Sequence, residues 1–271
     1  MPIANLPGEL QMYYEDDNFT DPWTQPETVI LHHGNAKNSQ LWYAWVPLLA
    51  ADYRVIRLDA RGFGRSTVPA PGYDWSLAGF AADLRHLMDH LGIEKAHVIG
   101  ETIGGTIGLQ FAYQYPERLH TLTACTSPYT FRGVQSYLDY YTLVKEQGVA
   151  AWVRQTADRR LEPGQANPQH SAWYVQQMSQ TSQQVVMETL AYLSNVDLTP
   201  IVPHITTPTL IMVGEHSSMN TPERTQRLLR LLPHGTLVTV PGAGGYVQHS
   251  APAQCVALWR AFVQQQRREV A

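Results

Sequence analysis

The fold is decided by the stretch Ala96-His97-Val98-Ile99-Gly100-Glu101-Thr102-Ile103-Gly104-Gly105-Thr106-Ile107-Gly108-Leu109. A short apolar run ends at Gly100, a hydroxyl residue follows at Thr102, and a glycine-spaced apolar segment continues the chain. This order predicts a strand, a tight turn and a helix. It has the outline of a nucleophile elbow, G-x-S-x-G, in which a strained turn raises a nucleophilic oxygen above a sheet. Threonine stands where serine is usual.

Strands and helices alternate on both sides of this stretch. Apolar runs predict further strands at 9–15, 28–32, 53–59, 119–125, 209–214 and 236–240. Between them, residues 41–51, 77–91, 222–232 and 253–264 have helical patterns, and 77–91 has its apolar residues close to a 3.6-residue period. Such alternation predicts an α/β fold with a mostly parallel sheet, helices on both faces, and a ligand site at the carboxyl ends of the strands.

The alternation stops between 128 and 197, where Tyr, Trp, Gln and Ser are frequent and strand signals are few. We interpret this segment as an inserted helical cap on a core formed by 1–127 and 198–271. Its aromatic residues either pack the cap or line a pocket beneath it. Arg154, Arg159 and Arg160 are expected on a solvated helix face, and the alternative is recognition of an anionic substrate.

Composition excludes several classes of partner. The 271 residues carry a net charge of −4 with scattered charges, so no basic patch predicts nucleic-acid binding. No apolar run approaches the roughly 18 residues of a membrane span, and the start of the chain lacks a signal-peptide pattern, so we expect a cytoplasmic protein that binds no membrane. Cys125 and Cys255 lack metal-ligand spacing and are expected to be buried thiols without a disulfide. No metal or cofactor is expected, a small molecule is the expected partner, and the oligomeric state stays open.

The order of these parts resembles the α/β-hydrolase superfamily over nearly the whole chain. The parts are the His33-Gly34 loop, the turn at 59–64, the elbow, the cap, the strand ending at Gly214 and the Pro241-Gly242-Ala243-Gly244 loop. Size and cap look like the branch of 3-oxoadipate enol-lactonases, C–C bond hydrolases and small esterases. The resemblance implies an α/β-hydrolase fold and an oxyanion hole made by the backbone N–H groups of Asn35 and Ile103. It also places four residues beside the substrate: His33, Gly34, Tyr129 and Tyr246.

The turn at 59–64 contains an arginine, Arg61. A guanidinium group suits a substrate carboxylate, but we expect Arg61 to hold this turn through Asp59 instead.

Three positions depart from the family pattern. Thr102 replaces the serine, Ser217 occupies the usual position of the acid, and Gly245 occupies that of the histidine. The β-methyl of a threonine crowds a strained elbow, and its hydroxyl needs a base within hydrogen-bond reach. Ser217 can hold an imidazole tautomer but supplies no negative charge.

Substitutes for the missing base lie nearby in sequence. His249 follows Gly245 by four residues, and His216 precedes Ser217. Either histidine is a candidate base, and the alternative is a surface or capping role. Glu101 also flanks the elbow, although such a turn normally aims that side chain away from the pocket.

These features predict a hydrolase of a small carbonyl substrate, such as a lactone, an ester, a carbamate or a compound with a scissile C–C bond, that uses the oxyanion hole and a degenerate triad. One alternative is a non-catalytic protein that binds a small molecule in the same pocket. Another is a lyase, decarboxylase or cofactor-free oxygenase that stabilises an enolate or carbanion on the same fold.

Overall fold

The computed structural model describes residues 2–157, 160–161, 167–217 and 221–270. In these residues a single eight-stranded sheet has the order β1-β2-β4-β3-β5-β6-β7-β8. β1 and β2 run antiparallel to their neighbours, and the other strands pair in parallel. The strands are β1 (Ile3–Leu6), β2 (Leu10–Asp17), β3 (Thr28–His32), β4 (Arg54–Leu58), β5 (Ala96–Glu101), β6 (Leu119–Cys125), β7 (Thr209–Gly214) and β8 (Gly235–Val240).

Helices cover both faces of the sheet. On one face α2 (Leu77–His90) and α3 (Ile103–Gln114) bury apolar residues such as Phe80 and Ile107. On the other face α1 (Val46–Leu49) and α10 (Pro252–Val270) enclose a second core around Trp45 and Trp259. The α/β fold predicted from the alternation, with a mostly parallel sheet and helices on both faces, is therefore confirmed.

In the described residues between β6 and β7 there are four α-helices: α4 (Gln135–Gln147), α5 (Val149–Thr156), α6 (Pro168–Ser179) and α7 (Gln183–Leu193). They form a third apolar cluster, which also includes Ala36 and Leu41 from the segment after β3. These helices thus pack against the loop in which the oxyanion donor Asn35 is predicted.

The other α-helices of the described residues lie in the last part of the chain. α8 (Pro222–Leu231) precedes β8, and the short α9 (Val247–Ser250) precedes α10. Within the described residues no helix is long and apolar enough to cross a membrane.

Three local expectations were wrong. The segment 41–51 is not one helix, because a 3₁₀ turn at Ser39–Trp42 is followed only by the four-residue α1. The strand predicted at 9–15 corresponds to β2, but the preceding strand β1 was not predicted, and a turn in which Gly8 and Glu9 both have positive φ joins the two. The closing helix α10 continues to Val270, well beyond the predicted end.

Arg61 does hold its loop, but its partner is Asp83 on α2 instead of Asp59. Two hydrogen bonds of 2.6 and 2.8 Å join the guanidinium to the Asp83 carboxylate. Asp59 is not available because its carboxylate accepts the backbone N–H groups of Ser39 and Arg65. Asp59 therefore organises two loops through their backbones.

Candidate active site

Thr102 forms the turn between β5 and α3. Its φ of 48° and ψ of −117° lie in a region that a β-branched residue rarely adopts. A Cβ added at Gly100 or Gly104 would overlap the backbone packed against it, so the glycines allow strand and helix to approach. The elbow keeps the side chain of Thr102 partly exposed, whereas both neighbours in sequence are buried.

The loop after β3 lies directly against this elbow. A Cβ added at Gly34 would overlap Thr102 Oγ1. The next residue, Asn35, is also partly exposed, and its side-chain oxygen accepts a hydrogen bond from Thr189 of α7 at 3.3 Å. In the described part of the chain, the backbone N–H groups of Asn35 and Ile103 make no hydrogen bond. The two unpaired donors thus belong to the residue after Thr102 and to the residue after Gly34, whose backbone lies against Thr102 Oγ1.

A fully buried carboxylate, Glu101, lies behind the elbow. One oxygen accepts from the Gly34 N–H at 3.2 Å. The other accepts from Lys37 Nζ at 2.5 Å, from Gln248 Nε2 at 2.5 Å and from His249 Nε2 at 2.9 Å. Both carboxylate oxygens are thus held by donors from neighbouring segments, and the side chain is fully buried.

The charges of this cluster follow from its burial. Burial alone would raise the pKa of Glu101, but Lys37 and His249 lower it well below its usual range, so the carboxylate is ionised. Burial lowers the pKa of His249 despite the nearby carboxylate, so the imidazole is neutral at pH 7. A neutral ring that donates to Glu101 carries its proton on Nε2.

The structure separates the residues predicted for the triad. His249 bonds to Glu101, whereas the side chain of His216 is 69% exposed and lies 3.9 Å from Glu215. Ser217 lies in the loop after β7, where its N–H donates to Gly214 O. In the described residues no hydrogen bond reaches Thr102 Oγ1, so none of these side chains is bonded to it as a base.

The four residues predicted to line the substrate site have different surroundings. Gly34 contacts Thr102, as described above. His33 is buried, with Nδ1 2.7 Å from Gly34 O and Nε2 accepting the Ala60 N–H at 2.9 Å. Tyr129 is buried in the sheet core. Tyr246 is buried, with its ring centroid 4.3 Å from Lys37 Nζ and its hydroxyl 3.3 Å from Arg160 Nη1.

Two buried cationic residues of this region, Lys37 and Arg160, were not predicted from the sequence. Lys37 is only 1% exposed, and nothing in the local pattern indicated a buried lysine. Arg160 was expected on a solvated face, but it is buried, with Thr156 of α5 and Tyr246 of the loop after β8 as its hydrogen-bond partners. Arg154 is exposed as expected, and Arg159 lies outside the described residues.

Comparison with known proteins identifies the family. The family model of the α/β-hydrolase fold matches residues 27–252. The chain belongs to the α/β-hydrolase fold family. A relative from Yersinia enterocolitica, described as a putative carbamate hydrolase RutD, is 30% identical over 83% of this chain and 82% of its own length. The 3-oxoadipate enol-lactonase 2 of Acinetobacter baylyi is 26% identical over 77% of this chain and 78% of its own.

Solved structures agree on the fold of this α/β-hydrolase. The enol-lactonase from Burkholderia xenovorans LB400 superposes with a TM-score of 0.87 and 20% identity, over 97% of this chain and 100% of that chain. A thermophilic esterase from Thermogutta terrifontis superposes with a TM-score of 0.85 and 24% identity, over 98% of this chain and 99% of that one. The family and the relatives together make the chain a hydrolase.

Proposed function

We propose that this hydrolase cleaves a small carbonyl compound whose carbonyl oxygen binds the N–H groups of Asn35 and Ile103. The substrate is a lactone, an ester, a carbamate or a compound with an activated C–C bond. The observation that carries the proposal is the pair of unpaired backbone N–H groups on Ile103, which follows the partly exposed Thr102, and on Asn35, which follows Gly34. Donors fixed in this way stabilise the negative charge that develops on a carbonyl oxygen during acyl transfer.

Thr102 is the proposed nucleophile. Its Oγ1 adds to the carbonyl carbon, its proton passes through water to the departing atom, and a second water hydrolyses the resulting Thr102 ester. Ile103 opens α3, so the positive end of the helix dipole also lies beside the developing oxyanion. Because no described side chain accepts the Thr102 proton directly, the site suits strained rings and good leaving groups. An oxyanion hole with substrate binding retains roughly 10³- to 10⁴-fold catalysis over water when a triad is removed.

The other polar residues near the elbow have structural roles or none in this reaction. Glu101 is held by four donors and its pKa lies well below its usual range, so it stays ionised and orders the elbow. His249 supplies one of those donors as a neutral imidazole. His216 points to solvent and takes part in no step, and Ser217 is given no role in proton transfer.

Hydrolysis assays test this function. We expect the parent to hydrolyse 4-nitrophenyl acetate, dihydrocoumarin or a 4-nitrophenyl carbamate faster than buffer does, and Thr102→Ala to lose most of that rate. The exposed threonine variant Thr24→Ala is the matched control and keeps the parental rate. Intact-protein mass spectrometry of the parent with substrate detects the acyl adduct on Thr102. Absence of turnover for all three compounds would refute the function, and a fully active Thr102→Ala would refute the nucleophile.

A further inference from the structure

Arg160 is a buried cation without a carboxylate partner among the described residues. It is 6% exposed, and none of the ion pairs formed by those residues includes it. Its Nε donates to Thr156 Oγ1 at 3.0 Å and its Nη1 to the Tyr246 hydroxyl at 3.3 Å. The rings of Trp152 and Tyr246 face the guanidinium, with centroids 4.8 and 5.6 Å from Cζ. Hydroxyls and π faces solvate the cation only partly.

Two further donors around Arg160 are also unmatched. The indole N–H of Trp152 and the hydroxyl of Tyr174 are buried and make no hydrogen bond of normal length within the described structure. The Tyr174 phenol is close enough to Arg160 for each group to influence the other electrostatically. An indole and a guanidinium can only donate, so the missing partner must accept hydrogen bonds. Buried polar atoms without partners are rare in folded proteins and call for an explanation.

The charges of the neighbouring cluster leave Arg160 uncompensated. Lys37 and Glu101 form a buried ion pair, and His249 is neutral. Among the described residues, one positive charge, that of Arg160, therefore remains in this buried region. Placing an unpaired charge in a protein interior is costly, and a bound anion removes that cost.

Tyr246 connects this positive charge with the acyl site. Its hydroxyl contacts Arg160, and its ring lies 4.3 Å from Lys37 Nζ, two residues beyond the oxyanion donor Asn35. Tyr246 therefore joins Arg160 to the buried cluster around Glu101, the residue that precedes Thr102.

We propose that Arg160 determines specificity by binding a carboxylate on the substrate, with Tyr174 and Trp152 as additional donors. Planar guanidinium and carboxylate groups match in a two-bonded geometry. The preferred substrates are then carbonyl compounds that bear a free carboxylate. This inference rests on the proposed hydrolase function for its substrate class, but binding of the anion is testable without turnover.

A matched pair of esters tests the specificity. The mono-4-nitrophenyl ester of succinate carries a carboxylate, and 4-nitrophenyl acetate does not. We expect Arg160→Gln to lower kcat/KM for the succinate ester by at least about 10-fold, mainly through KM, as expected for loss of a charge-assisted hydrogen bond. The kcat/KM of Arg160→Gln for the acetate ester should stay near the parental value. Arg154→Gln, which replaces an exposed arginine on α5, should keep the parental values for both esters. An equal loss for both esters, or no loss, would overturn the proposal.

Binding of glutarate, measured by calorimetry, separates this proposal from the proposed function. We expect the parent and Arg154→Gln to bind glutarate, and Arg160→Gln to bind it at least about 10-fold more weakly. Tyr174→Phe should also weaken binding, because it removes one of the proposed donors. If no ester is hydrolysed but glutarate binding depends on Arg160, the hydrolase proposal fails and the anion site stands. If esters are hydrolysed but glutarate binding does not depend on Arg160, the anion site fails alone.

Discussion

The Glu101 carboxylate accepts the backbone N–H of Gly34 at 3.2 Å. Glu101 immediately precedes Thr102 at the elbow, and Gly34 immediately precedes Asn35 in the loop after β3. One hydrogen bond therefore fixes the separation between the two segments that carry the proposed oxyanion donors. The carboxylate that makes this bond is itself held by Lys37, Gln248 and His249.

Glu101→Gln is expected to lower the free energy of unfolding by about 3–5 kcal/mol, because it leaves the buried ammonium of Lys37 uncompensated. Urea denaturation measures the change. The double variant Lys37→Met/Glu101→Gln removes both charges and should recover a large part of the loss. A double variant less stable than Glu101→Gln would contradict the role of the ion pair.

Gly34→Ala is expected to destabilise the protein by about 1–3 kcal/mol, the usual range for overpacking, because the new Cβ overlaps Thr102 Oγ1. In a Thr102→Ala background that oxygen is absent, and the nearest remaining atom is the carbonyl oxygen of Glu101 at 3.4 Å. The cost should therefore fall. A double-mutant cycle measures the coupling, and strictly additive free energies would show that the two residues do not contact.

The sequence predicts the sheet, its order of elements and the elbow, because each depends on periodicity within one segment. It does not predict the surroundings of Glu101, whose partners Lys37 and His249 lie 64 and 148 positions away. A charged residue in a polar segment is also predicted to be exposed to solvent. This prediction was wrong for Arg160, because the fold packs Tyr246, which is 86 positions away, against it. Arg61 illustrates the same limit, since local order suggested Asp59 but the fold supplies Asp83.

Thr102→Ser is expected to raise kcat by about 10-fold on any substrate that the parent hydrolyses, by removing the β-methyl from a turn at φ 48°. Serine keeps the nucleophilic oxygen and gains rotamer freedom to approach the carbonyl. Thr102→Val is the control, because it keeps the branched shape and lacks the hydroxyl, and it should be inactive. Equal kcat values for serine and threonine would mean that the methyl group does not limit the reaction.

Acid should destabilise the fold through the two histidines at the end of β3. Burial lowers the pKa of His32 to about 3 and that of His33 to about 4, from a usual value of 6.5. The unfolded chain therefore binds protons below pH 6.5 that the folded chain excludes. The contribution of these neutral histidines to the free energy of unfolding is fully present above pH 6.5 and is lost as the pH falls towards 4. Between pH 7 and pH 5 the loss is about 2 kcal/mol per histidine.

Urea denaturation of His33→Gln at pH 7 and pH 5 checks this expectation. Glutamine can donate to Gly34 O and accept from the Ala60 N–H, as His33 does, but it does not titrate. Its loss of unfolding free energy between the two pH values should be about 2 kcal/mol smaller than that of the parent. His216→Gln is the control, because its imidazole is mostly exposed, and it should keep the parental loss. If both variants lose as much stability as the parent, His33 does not exclude protons in the folded state.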